Sequence, residues 1–230
     1  MKHIIKKILH ILLELIIIAG VIMGVLLESG VFINTLWAGA FKSFTTLSNI
    51  FALSYHAPYL VRIIKEKEDA KPFCPIWRMA VMVSVFQTCM VAMLFLGGGF
   101  GHTWYMVYSM ILLHLVVPIS VWTEYFFFAE KGGFKYPHLA AAPVPSIIYG
   151  ITAYAAPYFG FHLGNGKSVY PYWFMDVNAL GVPAIVIISV AAVLELAFVG
   201  ALLVFIDKLF AGRRDRKKRK EEKLLRDSKF

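Results

Sequence analysis

The sequence of 230 residues has few of the charged side chains with which a soluble protein covers its surface. Only 16% of its residues are charged, whereas 59% are hydrophobic. Soluble domains average about 25% charged and about 45–50% apolar residues. The low charge argues against a soluble monomer, and the high hydrophobicity excludes an intrinsically disordered chain. The composition therefore predicts a single-domain protein that crosses a membrane several times.

Common enzyme and cofactor motifs are also missing. The sequence has no P-loop, no G-x-G-x-x-G beside a strand pattern, no G-x-S-x-G elbow and no H-E-x-x-H pair. Its two cysteines, Cys74 and Cys89, fall in a charged connection and in an apolar run, so a disulfide framework is not expected. These patterns predict neither a metal nor a bound cofactor.

Six windows are apolar over about 20 residues, the length that crosses a bilayer as a helix. Backbone groups in lipid have no water to bond, so each window is predicted to be helical. The fold class is therefore an all-α membrane protein with six transmembrane helices. Residues 1–206 form the membrane domain, residues 207–230 form a basic tail, and the windows are about 8–27, 43–61, 76–97, 104–127, 139–159 and 182–205.

The distribution of Lys and Arg predicts the orientation of these helices. With six spans, 21 of the 23 basic residues fall on the side of the two termini, and only Lys42 and Lys167 fall on the other side. Because basic residues accumulate on the cytoplasmic side, both termini are predicted to be cytoplasmic.

The tail beyond Asp207 contains eleven basic and four acidic residues. This composition fits a solvated segment that enforces the topology, or one that binds anionic lipid at the inner leaflet. No aromatic residue lies among the charges between Arg213 and Lys229, so nucleic acid is not a predicted partner.

Helix 2 carries the clearest polar stripe inside a span. Thr45, Asn49 and His56 fall on one narrow face at about 100° per residue, and Ser48 flanks them. The stripe should face the bundle interior or a cavity. It fits either hydrogen bonding between helices or a functional site.

His114 is the strongest candidate in helix 4. Pro118 has no N–H to donate to the His114 carbonyl four residues earlier, which predicts a kink and open space beside the imidazole. A neutral histidine in such a space fits a general base. The alternative is a structural histidine that is hydrogen-bonded across the bundle.

Three acidic residues complete the candidates. Glu195 lies near the middle of helix 6 and is favoured over Glu14, whose position close to the basic end of helix 1 predicts partial solvation. Asp176 follows an aromatic run at the outer rim.

Four short motifs follow one another between residues 40 and 200. They are FKSFTTLSN (Phe41–Asn49), LLHLVVP (Leu112–Pro118), KYPHLAAAPVPSIIYG (Lys135–Gly150) and VYPYWFMDV (Val169–Val177). In this order and spacing they resemble the androgen-induced protein family and its bacterial six-helix relatives. The resemblance implies an integral protein of a bacterial cell membrane.

Animal members of that family are threonine hydrolases of fatty acid esters of hydroxy fatty acids. The family threonine follows an aromatic-Lys-aromatic-apolar run, which matches Thr45 with Ser43 as the one departure. The family histidine precedes a proline, which matches His114 and Pro118 with a spacing one residue shorter.

The resemblance therefore implies that Thr45 attacks a lipid-like ester to form an acyl-threonine while His114 acts as general base. Asn49 is expected to donate to the developing oxyanion. The other residues expected to line the site are Ser48, His56, Glu195 and Asp176. His114 lies about 12 Å deeper in its window than Thr45, so their contact also predicts an earlier start of helix 2, within Phe32–Lys42.

Two other functions remain open at this stage. One is a membrane protein that binds or transports a lipid or small molecule without catalysis, with Glu195 coupled to protons, although the sequence has no repeated halves of the transporter kind. The other pairs His56 with His114 as axial haem ligands.

Overall fold

The computed structural model describes residues 2–33, 38–66, 72–95, 103–164 and 168–227. Across these ranges the chain consists of helices and short connections and contains no β-strand. The predicted all-α class is therefore confirmed.

Each helix of the described ranges corresponds to one of the predicted windows, except for one short helix in the last connection. The α-helices are α1 (Lys2–Glu28), α2 (Phe44–Lys65), α3 (Pro75–Phe95), α4 (Trp104–Phe127), α5 (Val144–Ala155), α6 (Val177–Leu180) and α7 (Val182–Asp227). Short 3-10 turns lie at Val31–Ile33, Ala38–Lys42, Tyr136–Ala141, Ala156–Phe159 and Trp173–Met175. Helix α7 runs unbroken into the tail, whose side chains beyond Gly212 lie outside the described part of the chain.

Five helical segments are long and apolar enough to cross a membrane. They are His3–Glu28, Pro75–Leu94, Trp104–Phe127, Tyr136–Phe159 and Val182–Gly212. Helix α2 is similar in length but is not among them, because its Thr, Ser, Asn and His side chains lower its mean hydropathy. Five such helices fit an integral, multi-pass membrane protein.

The helices α1 to α4 form the packed centre of the bundle. Two glycines of α1 allow this contact, since a Cβ atom on Gly24 would lie 2.5 Å from a Leu113 methyl group and one on Gly20 would lie 2.9 Å from Val117. Small residues let membrane helices approach closely. In contrast, α5 and the described part of α7 have exposed apolar side chains, for example Ile151 and Ile187.

The first turn of α2 lies deep in the bundle. Its N-cap is Ser43, whose hydroxyl accepts a hydrogen bond from the Thr46 amide at 3.2 Å. The Thr46 hydroxyl in turn donates to Glu28 at the end of α1, at 3.1 Å. The predicted earlier start of α2 is wrong, since the helix begins at Phe44, and Thr45 contacts His114 nevertheless. The residues directly before α2 form the 3-10 turn Ala38–Lys42 instead, and residues 34–37 lie outside the described ranges.

Candidate active site

Thr45 and His114 are in direct contact. Thr45 Oγ1 lies 3.1 Å from His114 Nε2, and both side chains are buried. Thr45 stands in the first turn of α2, and His114 stands in the middle of α4. The predicted contact is therefore present, while the catalytic roles of the two residues remain predictions.

The hydrogen bond of Nδ1, the second ring nitrogen of His114, determines which of the two ring nitrogens carries the hydrogen. Nδ1 lies 3.2 Å from the Met110 carbonyl oxygen. A carbonyl can only accept, so Nδ1 carries the hydrogen, and in a neutral imidazole Nε2 is then the acceptor. The Thr45 hydroxyl therefore donates to Nε2, which is the arrangement of a nucleophile beside its general base.

Helix α4 departs from α-helical geometry where it carries His114. Residues Leu112–Val116 form a π turn, in which the Val117 amide donates to the Leu112 carbonyl five residues earlier. The sequence predicts a kink at Pro118, and the structure has this π turn just before it. Such turns occur often at functional sites, and this one leaves the Leu113 carbonyl free for a partner outside the helix.

Asn49 is that partner. Its Nδ2 donates to the carbonyl of Leu113 at 3.1 Å and to the carbonyl of Thr45 at 2.8 Å. Both hydrogens of the amide are therefore engaged, and Oδ1 is buried without a hydrogen bond to any described residue. This geometry does not support the expected donation from Asn49 to an oxyanion. Asn49 instead braces α2 against the π turn and so fixes Thr45 relative to His114.

Ser48 supports the same turn of α2 from the side of α3. Its hydroxyl lies 3.0 Å from the Thr45 carbonyl oxygen and 2.7 Å from Thr88 Oγ1, with which it shares a hydrogen bond. The polar stripe of α2 thus provides hydrogen bonds between helices and also holds Thr45.

A cavity of about 670 Å³ opens in front of Thr45. Its walls come mainly from α3, α5, α7 and the connection before α6, and most of its lining side chains are apolar. Thr45 belongs to the lining and His114 does not, so the imidazole contacts the hydroxyl from behind. A molecule in the cavity would meet the Thr45 hydroxyl with its base already in place.

Tyr172 also lines the cavity and contacts the head of α2. Its hydroxyl accepts a hydrogen bond from the Phe44 amide at 3.0 Å and lies beside the Thr45 side chain. Burial raises the pKa of Tyr172, so its hydroxyl keeps its hydrogen at neutral pH. The neighbouring Tyr149 donates to the Lys42 carbonyl at 2.9 Å.

Sequence reasoning missed both tyrosines, because aromatic residues near the outer rim fit the interfacial belt of a membrane protein. The available signal was that each lies within one of the four motifs, Tyr149 in Lys135–Gly150 and Tyr172 in Val169–Val177.

The structure does not bring the other candidates to Thr45. Glu195 is exposed on α7 and lies outside the cavity lining, to which its neighbour Leu196 belongs. Asp176 caps α6 by accepting from the amides of Asn178 and Ala179 at 3.0 and 3.3 Å. Glu195 and Asp176 were both expected to line the site. The first lies outside the cavity lining and the second caps α6, so neither expectation is supported.

His56 lies about 16 Å along α2 from Thr45, at 1.5 Å per residue. Its Nδ1 lies 2.8 Å from Glu14 Oε2, so it belongs to a different polar cluster. The expectation that Glu14 is partly solvated is wrong, since its side chain is fully buried. Axial ligation of a haem requires two histidines that face each other with free ring nitrogens. His56 instead contacts Glu14 and His114 contacts Thr45, so the geometry does not support the haem hypothesis.

No protein-family model matches the chain, and neither a curated protein nor a solved structure matches it. The chemistry of the site is therefore argued from Thr45, His114 and the cavity in front of them.

Proposed function

We propose that the protein is a multi-pass membrane hydrolase that cleaves lipid-like esters, with Thr45 as nucleophile and His114 as general base. The observation that carries this proposal is the hydrogen bond between Thr45 Oγ1 and His114 Nε2 at the wall of an apolar cavity. The resemblance of the four motifs to the androgen-induced protein family supports the same pair of residues.

The reaction follows from the tautomer of His114. Thr45 Oγ attacks the ester carbonyl as Nε2 takes its proton. The tetrahedral intermediate collapses, the alcohol leaves with that proton, and an acyl-threonine remains. Water then attacks the acyl group with Nε2 again as base, which releases the carboxylic acid and restores the Thr45 hydroxyl.

Tyr172 is the donor that we assign to the oxyanion in this mechanism. Its oxygen accepts from the Phe44 amide, and the hydroxyl is also hydrogen-bonded to the Thr45 side chain. An ester carbonyl oxygen bound beside Thr45 would take over the hydrogen of Tyr172. The N-terminus of α2 lies at the same oxygen, and its partial positive charge favours a negative charge nearby.

The walls of the cavity favour a substrate with a long apolar chain. Ile151 and Tyr158 line the cavity and are also 64% and 88% exposed on the outside of the bundle. The cavity therefore reaches the surface that would face lipid, between α5 and α7. Sideways entry from the bilayer would bring an acyl chain in without crossing water.

The proposed topology has α2 as a sixth span and both termini in the cytoplasm of a bacterial cell. The excess of basic residues on the side of the termini supports it. Thr45 then lies in the outer half of the membrane, and the basic tail meets the anionic inner leaflet.

The test is labelling of the purified full chain with a fluorophosphonate probe, which reacts with activated hydroxyl nucleophiles. We expect labelling of Thr45, located by peptide mass spectrometry, and at least a 20-fold loss in Thr45→Ala and in His114→Ala. Thr152→Ala is the matched control, because Thr152 is exposed and bonds only within its own helix. Undiminished labelling in both site variants would end the hydrolase assignment.

Lipid binding or transport without catalysis is the second candidate. A second apolar cavity of about 790 Å³ favours it, since this cavity lies between α2, α3 and α5 and has no nucleophile–base pair in its lining. Phe44 and Tyr149 separate the two cavities and line both of them. Recovery of bound lipid esters intact after prolonged incubation would favour this candidate over hydrolysis.

A further inference from the structure

Five ionisable side chains meet in the half of the bundle opposite to Thr45, where α1 to α4 pack together. They are His10 and Glu14 of α1, His56 of α2, Arg78 of α3 and Glu124 of α4, and each is at most 8% exposed. The proposed hydrolase mechanism uses none of them.

The two carboxylates of this cluster are held in the same way. Glu14 Oε2 lies 2.8 Å from His56 Nδ1, and Glu124 Oε2 accepts from the Arg78 guanidinium. The other oxygen of each carboxylate points towards His10. Glu124 Oε1 lies 3.1 Å from His10 Nε2, and Glu14 Oε1 lies 3.8 Å from the same nitrogen.

Glu14 Oε1 is a buried carboxylate oxygen without a hydrogen-bond partner among the residues that the structure describes. Buried polar atoms in proteins are almost always paired, and each exception needs an explanation. Here the unpaired atom faces a nitrogen and a second carboxylate oxygen, and the three atoms lie within 4.8 Å of one another. Such a convergence of N and O donors is suited to a cation.

We propose that His10 Nε2, Glu14 Oε1 and Glu124 Oε1 bind a divalent transition-metal ion. Metal–ligand distances of about 2.0–2.2 Å in a tetrahedral zinc site put its donor atoms roughly 3.3 Å apart. The separations of 3.1 and 3.8 Å from His10 Nε2 lie on either side of that value. Imidazole and carboxylate ligands suit Zn²⁺ and also Mn²⁺ or Fe²⁺.

The remaining residues of the cluster act as outer-shell groups. Carboxylates that bind metals are usually hydrogen-bonded themselves, which orients them. His56 does this for Glu14, and Arg78 does it for Glu124. The two carboxylates and the guanidinium together carry one net negative charge, which a cation offsets. The site joins helices α1 and α4 directly and α2 and α3 through these donors.

The main test is the metal content of the full chain, purified without a polyhistidine tag and measured by inductively coupled plasma mass spectrometry. We expect close to one Zn²⁺, Mn²⁺ or Fe²⁺ per chain, and at least a fivefold loss in Glu14→Gln and in His10→Ala. Glu195→Gln is the matched control, because it makes the same change on an exposed carboxylate of α7.

X-ray absorption of the bound metal in the wild-type protein complements these variants, since it does not depend on their folding. We expect nitrogen and oxygen ligands with one imidazole and no sulfur. The proposal is overturned if the wild-type chain contains no stoichiometric metal and its melting temperature does not rise on addition of Zn²⁺, Mn²⁺ or Fe²⁺. Equal metal content in all variants, or sulfur ligation, would overturn it as well.

Discussion

The two polar clusters of this bundle differ in charge and in access. The outer cluster around Thr45 and His114 consists of hydroxyl, amide and imidazole groups and borders a cavity of about 670 Å³. The inner cluster contains two carboxylates and a guanidinium. Burying a neutral polar group costs less solvation energy than burying an ion, which needs partners around it in an apolar interior. The outer cluster therefore presents a neutral hydroxyl to its cavity, whereas the charges of the inner cluster face one another.

Aromatic rings pack around the inner cluster, and Arg78 also lines a cavity of about 470 Å³. The His10 ring stacks on Phe128 at 4.9 Å, and the Arg78 guanidinium lies over the rings of Tyr59 and Tyr125 at 5.8 and 5.4 Å. These faces provide cation–π contacts in place of water. The inner cluster is consequently a site that stabilises the bundle, and the outer cluster is a site that can react.

The largest effect is expected from removing the guanidinium of the inner cluster. Arg78→Met breaks the buried ion pair of Arg78 with Glu124 Oε2, and the loss of one partner of such a pair costs about 3–5 kcal/mol of the free energy of unfolding. Denaturant-induced unfolding in detergent micelles measures this value. Because the outer cluster is about 16 Å away, the labelling rate of the folded fraction should stay within twofold of wild type.

A double variant checks the cause of that loss. Arg78→Met combined with Glu124→Gln removes both charges, and we expect it to regain most of the lost stability. A double variant as unstable as the sum of its parts would mean that packing, and not the unpaired carboxylate, determines the effect.

The second prediction concerns the hydroxyl of Tyr172. Tyr172→Phe removes the donor assigned to the oxyanion, and we expect kcat to fall by about 10²–10³, the usual effect of losing one such donor. KM should change little, because the ring still lines the cavity. Tyr158→Phe is the matched control, since Tyr158 lines the same cavity but is 88% exposed; equal losses of kcat in both variants would contradict the assignment.

The third prediction separates bracing from catalysis at Asn49. Asn49→Ala leaves the Leu113 carbonyl at the π turn without its donor, and we expect it to lower the free energy of unfolding by about 1–3 kcal/mol. Measured by the same denaturant unfolding, this loss should come with less than a tenfold change in kcat. A loss of kcat near 10² with unchanged stability would identify Asn49 as an oxyanion donor after all.

The fold was predictable because bilayer length and hydropathy constrain it. Each apolar window matched a helical segment, and α2 (Phe44–Lys65) begins within one residue of its predicted start. The contact between Thr45 and His114 was predictable from a polar stripe and two motifs. The π turn was not, because Pro118 predicts a kink without determining which geometry the preceding residues Leu112–Val116 adopt.

The inner cluster escaped prediction for a similar reason. His10 and Glu14 are four residues apart near a basic terminus, which locally indicates a solvated helix end. Their partners Arg78 and Glu124 lie in α3 and α4, far along the sequence, and only the packing of α1 between them excludes water. These partners are far apart in the sequence, so no local pattern indicates this concentration of charge within the described part of the bundle.

The smallest effect is expected at Glu195, the acidic residue that sequence reasoning favoured. It is exposed on α7, and within the described part of the chain no hydrogen bond or ion pair fixes it. Glu195→Gln should therefore change the free energy of unfolding by less than about 0.5 kcal/mol, as for a surface substitution. Labelling and kcat should keep their wild-type dependence on pH.

A transporter that couples Glu195 to protons would instead lose its pH-dependent uptake in this variant, so a vesicle uptake assay across pH 5–8 distinguishes the two functions. If Glu195→Gln keeps the labelling and kcat of the wild type while Thr45→Ala loses both, the reaction depends on the outer cluster and not on Glu195.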